Sequence, residues 1–160
     1  MITIRRIKPS EYELFRQVRL AALRDSPYAF PSTYQGALER SPESWKEQAD
    51  STTTGRDRAT FLAFSDKKPI GIAALYRRED DDVVGELLQV WIDPEHRGTR
   101  LAWDLMDEIF KWAHKNDYQK IIAEVTIANP GALKFYLKYG FSKIEENPPD
   151  TRGLHLVKNV

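Results

Sequence analysis

One stretch near the end constrains the fold more than any other: Asn129-Pro130-Gly131-Ala132-Leu133-Lys134-Phe135-Tyr136-Leu137-Lys138-Tyr139-Gly140-Phe141. Both ends of a short helix are written into it. Asn129 is a good N-cap, Pro130 takes the first helical position, where its missing N–H does no harm, and Gly140 supplies a left-handed stop. Ala132, Phe135, Tyr136 and Tyr139 recur at i, i+3, i+4 and i+7, so they share one face. Lys120 to Thr126 reads as a strand that leads directly into the cap. The phenols on the helix face are either buried packing or, where the face lines a cleft, groups able to give a proton to a departing atom.

A second constraint lies about forty residues upstream, in Gly85 to Ala102. Glu86 to Ile92 is an apolar run rich in strand formers and stops at Asp93-Pro94. After a short loop, Leu101, Leu105, Ile109 and Trp112 are spaced for one buried helix face. Strand, tight loop and helix start together make an anion site, because the first amides of a helix are unpaired and the helix dipole favours negative charge. Arg97 and Arg100 add full charges beside it. A diphosphate suits such a site, although a solvated basic turn would have the same composition.

The two stretches also resemble the motifs of one family, in the right order. Asn129 to Phe141 matches, position by position, the N-x-x-A-x-x-F-Y-x-x-x-G-F signature of the GNAT superfamily of acyl-CoA-dependent N-acetyltransferases. Arg97-Gly98-Thr99-Arg100-Leu101-Ala102 resembles its Q/R-x-x-G-x-G/A loop, with Arg100 where the family has its middle glycine. The resemblance implies acetyl-CoA as co-substrate and no metal. It places Tyr136 on the proton-donor position, and Asn129, Ala132 and Phe135 beside the cofactor arm. Val90, Trp91 and Ile92 fall on the strand whose backbone pairs with pantetheine, and Gly98 to Trp103 (Gly98, Thr99, Arg100, Leu101, Ala102, Trp103) on the diphosphate loop that Arg97 opens. Glu86 occupies the position from which some relatives recruit a general base, with Glu124 on the neighbouring strand as a rival. Tyr28, Phe30 and Tyr34, in a proline-rich segment that borders the acceptor pocket in the family, are acceptor-site candidates or core plugs.

Composition narrows the alternatives. Basic and acidic residues balance at 24 each, so there is no broad footprint for nucleic acid or an anionic membrane. No apolar stretch is long enough to span a bilayer, and Met1 to Arg6 has no signal-peptide core; a cytoplasmic protein is expected. Cysteine is absent, which excludes disulfides, thiolate metal sites and a cysteine acyl-enzyme. Direct transfer in a ternary complex is therefore the economical mechanism for an acetyl thioester. The three histidines have no metal-ligand spacing. The acceptor is a small-molecule amine or a peptide or protein amine, in a monomer or homodimer. A catalytically silent acyl-CoA-binding module, or an interaction domain that has lost the cofactor, are the alternatives.

The remaining sequence orders itself around these stretches. Thr3 to Lys8 predicts a first strand, and Ser10 with Glu13 a capping box before a helix through Leu14, Val18 and Ala22. Asp25 to Tyr34 is too rich in proline to be regular. Ser41-Pro42-Glu43 starts a helix carrying Trp45 and Ala49. Ala59 to Ser65 and Ile70 to Tyr76 form a hairpin, and Phe141 to Glu145 with Leu154 to Lys158 an antiparallel pair around Pro148-Pro149. The order β-α-α-β-β-β-α-β-α-β-β predicts an α+β fold over residues 1–160 as one domain. In α/β/α layers, helices would flank a mixed, mostly antiparallel sheet, the GNAT-like arrangement.

Overall fold

A computed structural model describes residues 1–126, 128–145 and 153–160. Its strands are β1 (Ile2–Arg6), β2 (Arg58–Ser65), β3 (Lys68–Arg77), β4 (Val84–Ile92), β5 (Lys120–Thr126), β6 (Ser142–Lys143) and β7 (Gly153–Asn159). Its helices are α1 (Tyr12–Asp25), α2 (Tyr34–Leu38), α3 (Pro42–Asp50), α4 (Leu101–Lys115) and α5 (Pro130–Tyr139). The strands form one sheet in the order β1-β2-β3-β4-β5-β7-β6. Every neighbouring pair is antiparallel except β4 and β5, which run parallel and are connected through α4.

Both faces of the sheet are covered. On one, Leu101, Leu105, Met106, Ile109 and Ala113 of α4 pack with Ala73, Leu75, Ile121, Ala123 and Val125, and α5 joins them through Tyr136. On the other, Phe15, Val18, Ala22 and Leu23 of α1 and Trp45 and Ala49 of α3 pack on Leu62, Phe64, Ile72 and Trp91. Central strands enclosed this way are apolar on both sides, and Ile70 to Leu75 is accordingly an unbroken buried run.

The α5 helix forms as its ends predict. The Asn129 side chain accepts from the Ala132 amide at 3.2 Å, and Gly140 takes φ +121°, allowing the Phe141 amide to reach back to the Tyr136 carbonyl at 3.0 Å. Ser41 caps α3 through the Ser44 amide at 3.1 Å. The start of α1 differs from expectation. Ser10 sits at φ +73° and caps nothing; the Glu11 carboxylate accepts from the Lys8 amide at 2.7 Å and from both ends of the Arg5 guanidinium at 2.8 and 2.9 Å. The helix therefore begins one residue later than the box requires, with Glu11 at the N-cap and no side-chain cap bond. The proline-rich segment is also more ordered than its composition suggests, with a 3₁₀ turn at Pro27–Ala29 before α2. The β6–β7 pair is present but β6 is only two residues long, and Pro148-Pro149 lies outside the described residues.

Candidate active site

The site begins with a fault in β4. Ile72 pairs with Trp91 and Ala74 with Leu88, so Ala73 alone faces both Gln89 and Val90. Gln89 absorbs the extra residue by taking φ +61°, a left-handed conformation that costs a non-glycine residue roughly 1 kcal/mol or more. On the other edge of β4, the parallel register with β5 runs from Val84–Lys120 to Leu87–Ala123 and then stops. Beyond that point Leu88 to Val90 and Glu124 to Thr126 no longer pair with each other. Their separation opens a cleft of about 410 Å³, closed on its far side by Asn129, Ala132 and Tyr136 of the α5 segment and by Phe30 and Pro31.

The cleft offers exposed strand backbone, and backbone amides and carbonyls in such a place require partners. The Thr126 hydroxyl and the Gln89 side-chain oxygen, both at its wall, are buried with no hydrogen-bond partner among the described residues. Tyr136 is 7% exposed, its ring set edge-on to Phe135 and Phe141 at centroid distances of 5.5 and 5.3 Å. Its hydroxyl bonds to no described group. Burial pushes the phenol's pKa well up, so it holds its proton throughout the neutral range.

Several sequence expectations meet in this cleft: Val90, Asn129, Ala132, Tyr136, Phe30 and Glu124 all line it. Others lie elsewhere. Trp91 and Ile92 continue β4 beyond the bulge with buried side chains, and the Trp91 indole donates to Asp25 at 3.0 Å. Phe135 packs at right angles against Trp103, holding α5 to α4. Tyr28 is 54% exposed and Tyr34 packs on the core beneath α1, leaving Phe30 as the aromatic of that segment at the cleft. Glu86 lies beside the cleft. Strand alternation turns it into an adjoining groove of about 490 Å³, 3.7 Å from Arg78, whereas Glu124 lines both groove and cleft.

The loop before α4 has the predicted form with different side-chain roles. Its left-handed residue is Gly98, at φ +77°, while Arg100 has an ordinary φ of −78°. A side chain at position 100 therefore introduces no backbone strain. Arg100 turns along the helix to Asp104 at 3.1 Å. Thr99 accepts from the Leu101 amide at 3.2 Å, and the amides of Ala102 and Trp103 belong to the open first turn of α4. Arg97 was expected to face a diphosphate. Its guanidinium donates to the Ile92 carbonyl at 3.0 Å and to the partly exposed Asp25 carboxylate at 2.5 Å. Burial alone would raise the Asp25 pKa; hydrogen bonds from Ser26, Trp91 and Arg97 outweigh it and hold the group ionised below its usual range.

Two elements of the site escaped the motif reading. The Gln89 bulge leaves no mark in an apolar strand pattern. Arg19, by contrast, carried a signal: it falls on the α1 face with Phe15, Val18, Ala22 and Leu23, a charge where the helical period calls for an apolar residue.

With that geometry established, comparison with known proteins is informative. The sequence profile of the acetyltransferase (GNAT) family matches residues 20–141. An uncharacterized N-acetyltransferase of Methanocaldococcus jannaschii is 27% identical over 108 residues, covering 62% of this chain and 45% of that protein. N-acetylaspartate synthetase of Danio rerio is 32% identical over 86 residues, covering 54% of this chain and 30% of that protein. The chain thus aligns with less than half the length of these relatives. Among solved structures, a GNAT-family acetyltransferase of Streptococcus pneumoniae superposes with a TM-score of 0.81 at 19% identity over all of both chains. The PaiA N-acetyltransferase of Thermoplasma acidophilum, solved with coenzyme A, gives 0.76 at 20% identity over 100% of this chain and 99% of that one. At those identities the likeness is one of fold. The profile match, which takes in the bulged β4, the loop before α4 and the whole of α5, makes this chain a member of the GNAT acetyltransferase family.

Proposed function

We propose that this enzyme moves an acetyl group from acetyl-CoA to a primary amine by direct attack in a ternary complex. The observation that carries the reading is the cleft itself: two parallel strands part beside a bulge, and a protonated phenol faces the gap. The residues fit such a co-substrate. Backbone of Leu88 to Val90 and Glu124 to Thr126, with the Thr126 hydroxyl, would hold the amides of a pantetheine arm. Gly98 and the first amides of α4 would hold the diphosphate, with Arg97 acting only by fixing the loop. Acetyl-CoA, when bound, supplies a thioester carbonyl, at which a C–N bond forms as the C–S bond breaks.

The chain's own groups account for the proton movements. An alkyl amine has a pKa of about 10.4 and must lose a proton to attack. Glu124 lines the cleft and is the nearer base; Glu86 can act from the groove through water. Amides left unpaired at the bulge are donors for the oxyanion. Tyr136 then protonates the departing sulfur. The relatives' names, N-acetyltransferase and N-acetylaspartate synthetase, support both the acyl group and an amine acceptor.

The test is a panel of amines scored by thiol release from acetyl-CoA, beside a calorimetric titration of coenzyme A. Turnover with at least one amine is expected. Binding without turnover would leave a silent sensing module, and absence of binding an interaction domain.

A further inference from the structure

A second cavity, also of about 410 Å³, opens beneath α1 and α3 and shares the Gln89 side chain with the cleft. Two guanidiniums line it: Arg19 from α1 and Arg40 from the turn before α3. Arg19 is only 7% exposed. Each is stacked on an aromatic ring, Arg19 on Phe30 at 5.0 Å and Arg40 on Trp45 at 3.9 Å. Stacking fixes the planes and leaves the N–H edges available. Arg40 donates to the Ser44 hydroxyl and carbonyl, at 3.0 and 3.1 Å. Neither arginine forms an ion pair among the described residues.

The same cavity collects unsatisfied polar atoms. Nη1 of Arg19, Nε1 of Trp45 and Oε1 of Gln89 are all buried without a partner among the described residues. Burial, with Arg40 adding to it, lowers the Arg19 pKa to about 10, which still leaves it charged at neutral pH. An unpaired buried charge is among the most costly features a fold can carry, and native structures hold one where something else supplies the counter-charge. On the other flank of the cleft Glu124 lines the wall, and the groove beyond holds Glu86 3.7 Å from Arg78. The amine position therefore lies between Glu124 on one side and two guanidiniums on the other.

We propose that this cavity receives a carboxylate carried by the acceptor, so that the substrates are small amino carboxylates, with the amine beside Gln89 and the carboxylate on Arg19, Arg40 and Trp45. The proposal rests on the acetyl-transfer reading and names its acceptor class. A carboxylate offers two coplanar oxygens to the guanidinium edges, and its remaining lone pairs suit the indole N–H. The Gln89 oxygen accepts from the amine and turns it toward the cleft. A neutral amine would leave Arg19 unpaired, and a polycationic acceptor would be repelled by the arginine pair.

The experiment compares matched acceptors on the intact chain: glycine with glycinamide, and glutamate with its diamide. The carboxylates are expected to show kcat/KM at least 10-fold higher, although the amides carry the more easily deprotonated amines. Arg19→Met should reduce that preference to less than about 2-fold, mainly through KM, without lowering the melting temperature, since an apolar side chain replaces an uncompensated charge. A second readout omits acetyl-CoA. Millimolar glutamate should raise the melting temperature of the parent, its diamide should not, and both Arg19→Met and Arg40→Gln should lose the response. Equal turnover of carboxylates and amides would overturn the proposal while leaving acetyl transfer intact. If no amine is acetylated, the acetyl-transfer reading fails, and the thermal response alone decides: a carboxylate-specific shift lost in Arg40→Gln supports the pocket, and no shift overturns it.

Discussion

Replacing Tyr136 with phenylalanine separates a proton donor from a packing residue. The ring contacts to Phe135 and Phe141 are unchanged by the substitution, and the lost hydroxyl bonds to no described group. Deleting a polar atom that has no partner is nearly neutral for stability. The melting temperature should therefore move by no more than about 4 °C, the upper end of the shift that roughly 0.5–1 kcal/mol produces in a chain of this size. The catalytic cost is of another order. A general acid contributes about 10²- to 10⁴-fold, or roughly 2.7–5.4 kcal/mol of barrier at about 1.36 kcal/mol per decade. Because burial raises the phenol's pKa, the donor stays protonated as pH rises, and its own ionisation should not cut kcat anywhere below about pH 10. Thiol release followed with a chromogenic thiol reagent reads kcat directly, and a chain without cysteine contributes no background. Normal kcat at saturating acceptor would refute the assignment, whatever happened to the melting temperature. A large fall in melting temperature with near-normal turnover would make Tyr136 a packing residue.

Glu124→Gln should lower kcat at neutral pH by roughly 10²-fold and recover part of it at higher pH, where more of the amine is neutral, while Glu86→Gln should cost several-fold less; a pH–rate profile of Glu124→Gln matching the parent's would move the base to Glu86 or water. Arg97→Ala should destabilise the fold by about 1–2 kcal/mol, a charged hydrogen bond discounted for partial exposure, and should leave coenzyme A affinity within a few-fold of normal in calorimetry; a 10²-fold loss would restore Arg97 as a direct phosphate ligand. Asp25 has a folded pKa below its unfolded value of about 3.9, so its contribution to stability is complete above that pH and is lost as pH falls through the folded value. Asp25→Asn should therefore be less stable than the parent at pH 7, with the two melting curves converging below about pH 4; a constant gap across that range would show that the carboxylate is not ionised by its partners.

What the sequence made legible follows from which forces are local. Capping and period-3.6 burial act within a few residues, and α5 was readable to its ends from Asn129, Pro130 and Gly140. The β5 strand, whose Ile121, Ala123 and Val125 point one way, was equally plain. The loop before α4 was legible as backbone, since Gly98 marks a turn, but its arginines were not. Where Arg97 points depends on Asp25, 72 residues away in the chain, and no local rule reaches that far. The Ser10 box does not form because Ser10 takes φ +73° and the helix begins after Glu11, whose carboxylate is held by Arg5 and the Lys8 amide. The sequence offers Glu86 and Glu124 as candidate bases but not the β4–β5 register, which sets Glu86 opposite Ile122 and puts Glu124 just beyond the last paired residues.

The Asp25 carboxylate also explains how separate parts of the site keep their spacing. It ends α1, the helix that carries Arg19, and one of its oxygens receives the Trp91 indole at 3.0 Å and the Arg97 guanidinium at 2.5 Å. Trp91 follows the Gln89 bulge directly, and Arg97 opens the loop that leads into α4. One carboxylate thus ties the end of the arginine-bearing helix, the strand just past the bulge and the start of the anion loop to a common point. The bulge needs such an anchor. A left-handed glutamine inside a strand is a strained conformation, retained only where its surroundings overdetermine it. Here Trp91 is buried and hydrogen-bonded immediately beyond it, and Leu88 is held by its pairing with Ala74 immediately before. Within β4 the left-handed conformation is confined to Gln89, which lines both pockets. The unpaired backbone of the cleft and the unpaired polar atoms of the arginine cavity then have one physical origin: a strand held firmly on both sides of a fault, with its hydrogen-bonding capacity turned outward between two pockets.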